Sequence, residues 1–229
     1  MIILYSGTPG SGKSLHSASD IINRIKFKHM TIGNFPIAID TPYYKFVDKE
    51  LTVPFLINFS REYFRTHKYK EGAIKVYIDE AQLLFNCRDF QRNDRDIWIS
   101  FFTQHRHLGY DIIFMCQFER MLDRQIRSLI EYEYIHKKVS NFGWKGFLLS
   151  LLALSPCNLF VYVKMWAPLK EKVDSGFFKY KRKLGKLYDT NRLFDNLKED
   201  FKEEKALSRG ITLEADQADN TADQTQGNP

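Results

Sequence analysis

The chain has 229 residues, of which 44% are hydrophobic and 15% aromatic, so it can build a sizeable core, and wholesale disorder is excluded. Three cysteines, none in a Cys-x-x-Cys pair, exclude a disulfide framework and argue against structural zinc. The net charge is +6, but residues 201–229 hold six acidic and three basic residues, which leaves +9 on the first 200. A basic body with an acidic tail is typical of proteins with phosphate-bearing partners, although charge alone does not distinguish this from an ordinary basic protein.

The start of the chain predicts a buried strand, a glycine-rich loop and a helix. Residues 2–5 are an apolar run of the kind found in parallel strands. Apolar residues then recur at helical spacing from Leu15 to Ile25, so we expect a helix that runs to about residue 28. Residues 31–54 predict short strands and loops, and a short helix is expected to begin at a serine cap, Ser60, and to end at residue 67.

Two further apolar runs predict strands at residues 73–78 and 111–116. The first ends in Asp79 and Glu80, and the second ends at Gln117. Between them we expect a helix to start within residues 80–87, followed by a polar loop. A second helix is expected over residues 94–107, and its inward-facing side chains are predicted to be Ile97, Ile99, Phe101 and Phe102.

The last third of the chain predicts a β-rich extension and a polar tail. A short helix at 123–130 is followed by predicted strands at 131–138 and 159–166, and by a hairpin-like pair at 177–183 and 186–188. The apolar stretch 147–163 has only 17 residues and contains Pro156, which favours a buried helix, a turn and a strand; a membrane-associated segment is the alternative. Residues 196–209 predict a charged helix, and residues 210–229 a disordered tail.

Residues 7–14 match the phosphate-loop pattern G-x-x-x-x-G-K-[ST], between a predicted strand and a predicted helix. The glycines let backbone N–H groups converge on phosphate oxygens, and the helix N-terminus adds positive charge. In this pattern Lys13 reaches the β- and γ-phosphates of ATP, and Ser14 supplies a hydroxyl to Mg²⁺. The predicted nucleotide-binding residues are Gly7, Thr8, Pro9, Gly10, Ser11, Gly12, Lys13 and Ser14.

The acidic pair at residues 79 and 80 fits the same chemistry. Phosphoryl transfer needs a carboxylate at the end of a neighbouring strand for Mg²⁺, and a second carboxylate can orient the attacking water. We assign the first role to Asp79 and the second to Glu80. An adjacent pair favours a motor-like ATPase over a small kinase or a GTPase, and the guanine-specifying Asn-Lys-x-Asp tetrapeptide is absent from the sequence.

Other polar residues are candidates for supporting roles. Gln117 would lie beside the γ-phosphate as a sensor, or it is simply a polar strand end. Arg106 and Arg127 are candidates for an arginine finger supplied by the next subunit of a ring, and the alternative for each is a solvated surface arginine. The basic stretch 170–186, interleaved with aromatic rings, fits either a groove for single-stranded DNA or a solvated edge strand.

Together these motifs resemble the Zot (zonular-occludens-toxin-like) family. The residues that carry the resemblance are Gly-Thr-Pro-Gly-Ser-Gly-Lys-Ser at 7–14, Tyr-Ile-Asp-Glu-Ala-Gln at 77–82 and His-Arg-His-Leu-Gly-Tyr-Asp-Ile at 105–112. The resemblance covers about residues 1–195, and it implies a RecA/FtsK-like α/β domain with a mainly parallel sheet flanked by helices. It also implies that Lys13 and Ser14 bind nucleotide and Mg²⁺, that Asp79 and Glu80 form the Walker B pair, and that Gln117 is a sensor.

The family implies an ATPase that drives virion assembly and the extrusion of single-stranded phage DNA. Its implied place is the host cytoplasm, at the cytoplasmic face of the inner membrane, with phage coat and assembly or export proteins as partners. Family members usually carry a transmembrane helix after this domain, whereas this chain ends in a polar tail. We therefore expect an anchor supplied by a partner, a membrane contact near residues 146–156, or a shortened chain.

Two other classes of function stay open at this point. A small-molecule P-loop kinase would need an arginine-rich lid, for which the loop containing Arg88, Arg92 and Arg95 is a candidate. An ATP-dependent switch that hydrolyses little ATP has the same motifs, because phosphate loops depend on partners for completion. Turnover without an acceptor substrate separates a motor from a kinase.

Overall fold

The computed structural model describes residues 1–34, 37–47, 51–88, 93–142 and 159–180. These residues contain eight strands, which are β1 (Ile2–Ser6), β2 (Thr31–Gly33), β3 (Tyr44–Phe46), β4 (Ile74–Ile78), β5 (Tyr110–Met115), β6 (Tyr132–Lys138), β7 (Leu159–Trp166) and β8 (Glu171–Lys179). All eight belong to one sheet in the order β3-β2-β4-β5-β1-β6-β7-β8. The pairs from β3 to β6 are parallel, and β7 and β8 continue the sheet in antiparallel fashion. The predicted α/β class with a β-rich C-terminal extension is confirmed.

Helices cover both faces of the sheet. Their bounds are α1 (Lys13–Lys26), α2 (Val53–Thr66), α3 (Ala81–Leu84), α4 (Arg95–Gln104) and α5 (Arg124–Ser128), with 3₁₀ turns at Glu119–Met121 and Val139–Phe142. Side chains of β1 alternate between the two faces, as the two-residue period of a strand requires. Ile2 and Leu4 pack in the core beneath α2, α4 and α5, whereas Ile3 and Tyr5 pack beneath α1. The fully apolar start of the chain is therefore a strand buried on both faces.

Helix α2 begins earlier than the sequence suggested. The hydroxyl of Thr52 accepts a hydrogen bond from the N–H of Phe55 at 3.4 Å, and Pro54 occupies the first turn, where its missing N–H costs nothing. Ser60 is a buried residue inside the helix and donates its hydroxyl proton to the carbonyl of Leu108 at 2.8 Å. The prediction of a cap at Ser60 was wrong because a serine can satisfy its hydroxyl through a tertiary contact.

The inward face of α4 differs from the prediction at one position. Ile97 is 53% exposed, whereas Trp98 is buried and its indole N–H donates to the carboxylate of Asp94 at 3.0 Å. Phe101 and Phe102 are buried as predicted. The apolar face therefore starts at Trp98, one residue later than predicted.

The C-terminal hairpin also differs from the prediction. Strand β8 pairs with β7 through a turn at residues 167–170, in which Lys170 has a left-handed φ of 56°. Phe177 faces Val161 across this pair, so residues 177–179 belong to a longer strand whose pairing with β7 the sequence did not predict. Residues 186–188, the apolar stretch 146–156, the charged helix at 196–209 and the tail at 210–229 lie outside the described residues. Within the described residues, no helix combines the length and apolarity needed to span a bilayer.

Candidate nucleotide-binding site

The phosphate loop lies at the carboxyl end of β1, where three glycines have φ angles that other residues rarely adopt. These angles are 139° at Gly7, 72° at Gly10 and 96° at Gly12. Gly12 leads directly into α1, which begins without a side-chain cap. The N–H groups of the first turn are therefore available to an anion at the helix N-terminus.

Lys13 is folded back over this loop. Its ammonium group donates to the carbonyl of Gly7 at 2.6 Å and approaches that of Thr8 at 3.4 Å. Partial burial lowers the pKa of Lys13, while the carboxylates of Glu80 and Asp79 act on that pKa in the opposite direction. The hydroxyl of Ser11 is buried without a hydrogen-bond partner among the described residues. A partly buried cation, an orphaned hydroxyl and uncapped N–H groups fit the phosphate chain of a nucleotide.

The acidic pair lies at the carboxyl end of β4, held by a residue that sequence reasoning missed. The side chain of Asn34 accepts from the N–H of Asp79 at 2.6 Å and donates to its carbonyl at 3.0 Å. Glu80 has a left-handed φ of 46°, an unusual and costly conformation for a residue with a side chain. The sequence offers little signal for Asn34, because this contact depends on the pairing of β2 with β4.

Strand β5 lies between β4, which precedes Asp79, and β1, which precedes the phosphate loop. The prediction that these two strands are immediate neighbours is therefore wrong. The inserted strand brings Gln117 to the centre of the site. The backbone carbonyl of Gln117 accepts a hydrogen bond from the N–H of Gly7 at 3.1 Å. Gln117 also lines a cavity of about 410 Å³ together with Ser6 and Gly7. This proximity is what a γ-phosphate sensor requires, and the sensor role itself remains a prediction.

An ion cluster around one buried carboxylate lies behind the loop, on the face covered by α5. Glu133 is only 6% exposed, and it accepts a hydrogen bond from the hydroxyl of Ser6 at 2.6 Å. Lys170, in the turn between β7 and β8, pairs with Glu133 at 3.3 Å and also with Glu119. Sequence reasoning missed this cluster because its members come together only through the register of β6 against β1.

A second group that sequence reasoning missed lies on the opposite face, against α1. The side chains of His16 and His136 form a hydrogen bond of 2.8 Å between Nδ1 of the first and Nε2 of the second. Because Nδ1 of His136 lies 2.9 Å from the carbonyl of Tyr134, we assign its proton there. Nε2 of His136 then accepts from Nδ1–H of His16, which requires the His136 ring to be neutral. Burial lowers the pKa of both histidines, which favours the neutral form of each ring.

This histidine pair predicts a loss of stability in acid. Burial, reinforced by His16, lowers the pKa of His136 to about 3, whereas an unfolded histidine titrates near about 6.5. Between these two pH values only the unfolded chain binds the proton. The stabilisation that comes from a neutral His136 is therefore complete above about pH 6.5, and it decreases as the pH falls. At about pH 5 we expect His136 alone to lower the free energy of unfolding by about 2 kcal/mol.

Chemical denaturation at neutral pH and at about pH 5 measures this effect. A His136→Gln variant should lose less stability between the two pH values than the unchanged protein, because a glutamine does not titrate. His107→Gln, at an exposed histidine, is the matched control and should keep the original pH dependence. Equal pH dependence in the unchanged protein and in His136→Gln would contradict the assignment.

The two candidate arginine fingers lie outside the loop of their own chain. Arg106 precedes β5, at the edge of the sheet opposite to the phosphate loop, and pairs with Glu131 at 2.7 Å and with Glu71 at 3.4 Å. Arg127 lines a cavity of about 390 Å³ that shares Glu133 and Lys170, but not Gly7 or Gln117, with the cavity beside the loop. Neither arginine is brought to the loop within one chain, so a role in a neighbouring site remains a prediction for both.

The parallel sheet, the loop between β1 and α1, and the polar ends of β4 and β5 define the P-loop NTPase fold. Within this class, the chain belongs to the Zot family: the family model described as "Zonular occludens toxin (Zot)" matches residues 1–180. The family resemblance seen in the sequence is thereby confirmed. The chain is also 25% identical over 145 residues to the gene 1 proteins of Enterobacteria phages fd, M13 and f1. That match covers 59% of this chain but only 41% of those relatives.

Solved structures show the same fold. The N-terminal domain of zonular occludens toxin from Neisseria meningitidis is 22% identical, with a TM-score of 0.51 over 82% of this chain and 98% of that one. The genome packaging NTPase from Sulfolobus turreted icosahedral virus 2, in complex with sulfate, is 14% identical, with a TM-score of 0.50 over 79% of this chain and 96% of that one. At these identities the likeness establishes the fold, and the chemistry must be argued from the residues of this chain.

Proposed function

We propose that this protein is an ATPase that powers phage virion assembly and the extrusion of single-stranded DNA at the host inner membrane. The observation that carries the proposal is the convergence of Lys13, the Asp79–Glu80 pair and Gln117 at the carboxyl ends of the parallel strands of the sheet. Membership of the Zot family and the likeness to phage gene 1 proteins support a role in phage assembly. The proposed location is the host cytoplasm at the inner membrane, with phage coat and export proteins as partners.

ATP with Mg²⁺ would supply the transferable phosphoryl group and a cation that offsets its negative charge. The loop N–H groups and Lys13 would hold the phosphate chain, and the hydroxyl of Ser14 and the carboxylate of Asp79 would hold the Mg²⁺. Glu80, whose side chain is exposed, can orient a water molecule and accept its proton. This set of residues supports hydrolysis because it provides a base for water.

We further propose that the protein works as a homo-oligomeric ring. The phosphate loop of each chain contains one cation and no arginine, and neither Arg106 nor Arg127 reaches the loop of its own chain. A guanidinium from the next subunit can form paired hydrogen bonds with the γ-phosphate. In related chemistry such a residue accelerates turnover by about 1,000-fold or more.

Dependence of turnover on assembly tests this proposal. We expect ATP hydrolysis without any acceptor substrate, with a specific activity that rises with protein concentration. Either Arg106→Ala or Arg127→Ala should lose turnover by about 1,000-fold while still binding ATP. A mixture of that variant with inactive Glu80→Gln protein should regain activity, because a mixed interface joins one intact site to one intact arginine.

Arg61→Ala, at an exposed arginine on α2, is the matched control for this experiment and should leave turnover unchanged. Melting temperatures are measured in parallel, since loss of Arg106 also removes its ion pair with Glu131. Concentration-independent hydrolysis by a monomer, with both arginine variants fully active, would exclude a shared site. Phosphate transfer to an acceptor in place of water would identify a kinase, and nucleotide binding without turnover would identify a switch.

A further inference from the structure

A groove of about 620 Å³ lies beside the acidic pair, where the segments that follow β4 and β5 meet. Two backbone contacts hold these segments together. The N–H of Cys87 donates to the carbonyl of Met121 at 3.0 Å, and Asn86 forms an isolated antiparallel bridge with Leu122. The walls of the groove are therefore joined through the backbone, independently of any ligand.

The lining of this groove is aromatic and basic. Phe118 is 56% exposed, although most large apolar side chains of the described residues are buried. Arg88, in the segment after β4, and Arg120, in the segment after β5, are both exposed, and neither has an ion pair among the described residues. The part of the groove wall that the structure describes includes no aspartate or glutamate. An exposed ring and two exposed arginines in one groove suit single-stranded nucleic acid, whose bases stack on aromatic side chains and whose phosphates attract cations.

Gln82 connects this groove to the acidic pair. Its side chain is 7% exposed, lines the groove, and donates from Nε2 to Oε2 of Glu80. Its carbonyl oxygen, Oε1, is buried without a hydrogen-bond partner among the described residues. The reverse orientation of the amide would place its oxygen against the Glu80 carboxylate, and two acceptors do not form a hydrogen bond. The contact with Glu80 therefore identifies which amide atom is the nitrogen. The Gln82 amide nitrogen therefore has an acceptor in Glu80, whereas the amide oxygen has no donor within the part of the chain that the structure describes.

We propose that Gln82 is a positioning residue that restrains Glu80 until single-stranded nucleic acid occupies the groove. A carboxylate oxygen that accepts a hydrogen bond from the Gln82 amide is a weaker acceptor for the proton of water. A nucleic acid in the groove provides hydrogen-bonding groups next to the unsatisfied amide, which then turns towards the groove and releases Glu80. This inference rests on the proposed ATPase function and adds to it the ligand and the residue through which that ligand controls hydrolysis.

The groove is tested by direct binding. Fluorescence anisotropy is measured with a labelled oligothymidylate of about 20 nucleotides, which exceeds the site sizes typical of single-strand binders. Phe118→Ala and Arg120→Ala should each weaken binding by about 10-fold, as expected for the loss of one stacking ring or one phosphate contact. The matched controls are Phe27→Ala and Arg61→Ala, at an exposed ring and an exposed arginine on other surfaces, and both should keep full affinity.

Equal affinity in all four variants would overturn the groove assignment, as would equal binding of a duplex of the same length. A Phe118→Ala protein that binds the oligonucleotide normally but no longer self-associates would identify the groove as a subunit interface and would also overturn it. Both groove substitutions are at exposed positions, so loss of folding does not confuse these results.

The role of Gln82 is tested by steady-state ATP turnover with and without the same oligonucleotide. Gln82→Met keeps the size of the side chain and removes its hydrogen bonds. We expect this variant to hydrolyse ATP faster than the unchanged protein in the absence of DNA, and to respond to DNA with a ratio of about one, since no restraint remains to be released. Slower turnover with an unchanged DNA response would show that Gln82 is merely structural.

Different results would contradict the coupling through Gln82 and the ATPase function. If the protein binds the oligonucleotide through the groove but its ATP turnover does not change, the coupling through Gln82 is wrong and the ATPase function stands. A complete absence of turnover with and without DNA contradicts the proposed ATPase function, while the anisotropy results still decide the groove.

Discussion

Lys13→Ala is expected to lower ATP turnover by about 100- to 1,000-fold, the range found when a preorganised donor to a developing negative charge is removed. Lys13 is the cation of the phosphate loop, and its ammonium already lies 2.6 Å from the carbonyl of Gly7. Because that ammonium would contact the same phosphates before and during transfer, nucleotide affinity should fall together with turnover. Calorimetric titration with a non-hydrolysable ATP analogue measures the affinity, and a phosphate-release assay measures the turnover.

Lys26→Ala is the control for this change, since Lys26 is an exposed lysine in the last turn of the same helix. It should match the unchanged protein in affinity and in turnover. The substitution at Lys13 removes a partly buried charge, so its melting temperature should stay close to the original value. Full turnover in a folded Lys13→Ala protein would contradict the assignment of the phosphate loop.

Glu80→Gln is expected to slow hydrolysis by about 100-fold or more while leaving nucleotide binding intact. The amide keeps the shape of the side chain but does not accept the proton of the attacking water. Asp79→Asn provides the contrast, because a residue that holds Mg²⁺ should affect binding that depends on Mg²⁺ before it affects the chemical step. Titrations with and without Mg²⁺, together with single-turnover rates, distinguish the two effects.

Glu62→Gln, at an exposed glutamate on α2, is the matched control for this pair and should change neither quantity. If both Glu80→Gln and Asp79→Asn retained full turnover, the division of roles between the two carboxylates would be wrong. If Glu80→Gln also lost nucleotide binding, Glu80 would be a residue that binds the phosphates or the metal and would not be the general base.

The features that the sequence predicted well are local ones. The apolar run of β1, the glycines of the loop and the helical spacing of α1 all lie within the first 26 residues, where the spacing of side chains directly indicates structure. The strand that ends in Asp79 and Glu80 is recognisable for the same reason. These segments supply the recognisable chemistry of the site, which is why the class of protein could be inferred before its fold was seen.

The features that the sequence did not predict depend on which strands become neighbours. The insertion of β5 between β1 and β4 brings Gln117 beside Gly7. The spacing of apolar residues along the sequence does not indicate the order of strands in a sheet. The Asn34 contact with Asp79 and the His16–His136 pair join residues 45 and 120 positions apart. Ser60 and Ile97 were misjudged for a related reason, since tertiary contacts override the local pattern of a short amphipathic helix.

The packing of Gly12 ties the phosphate loop to the two C-terminal strands of the sheet. A Cβ atom at Gly12 would lie 2.7 Å from the ring of Phe160 on β7 and 3.1 Å from that of Phe178 on β8. Those two rings stack on each other, and Phe178 also stacks on His16. A fragment that stopped after β6 would retain every residue of the phosphate-loop motif, yet it would leave the loop uncovered and turn β6 into an open edge. We therefore expect a shortened nucleotide-binding fragment to need β7 and β8, which lie well past the last residue of the motifs that define the site.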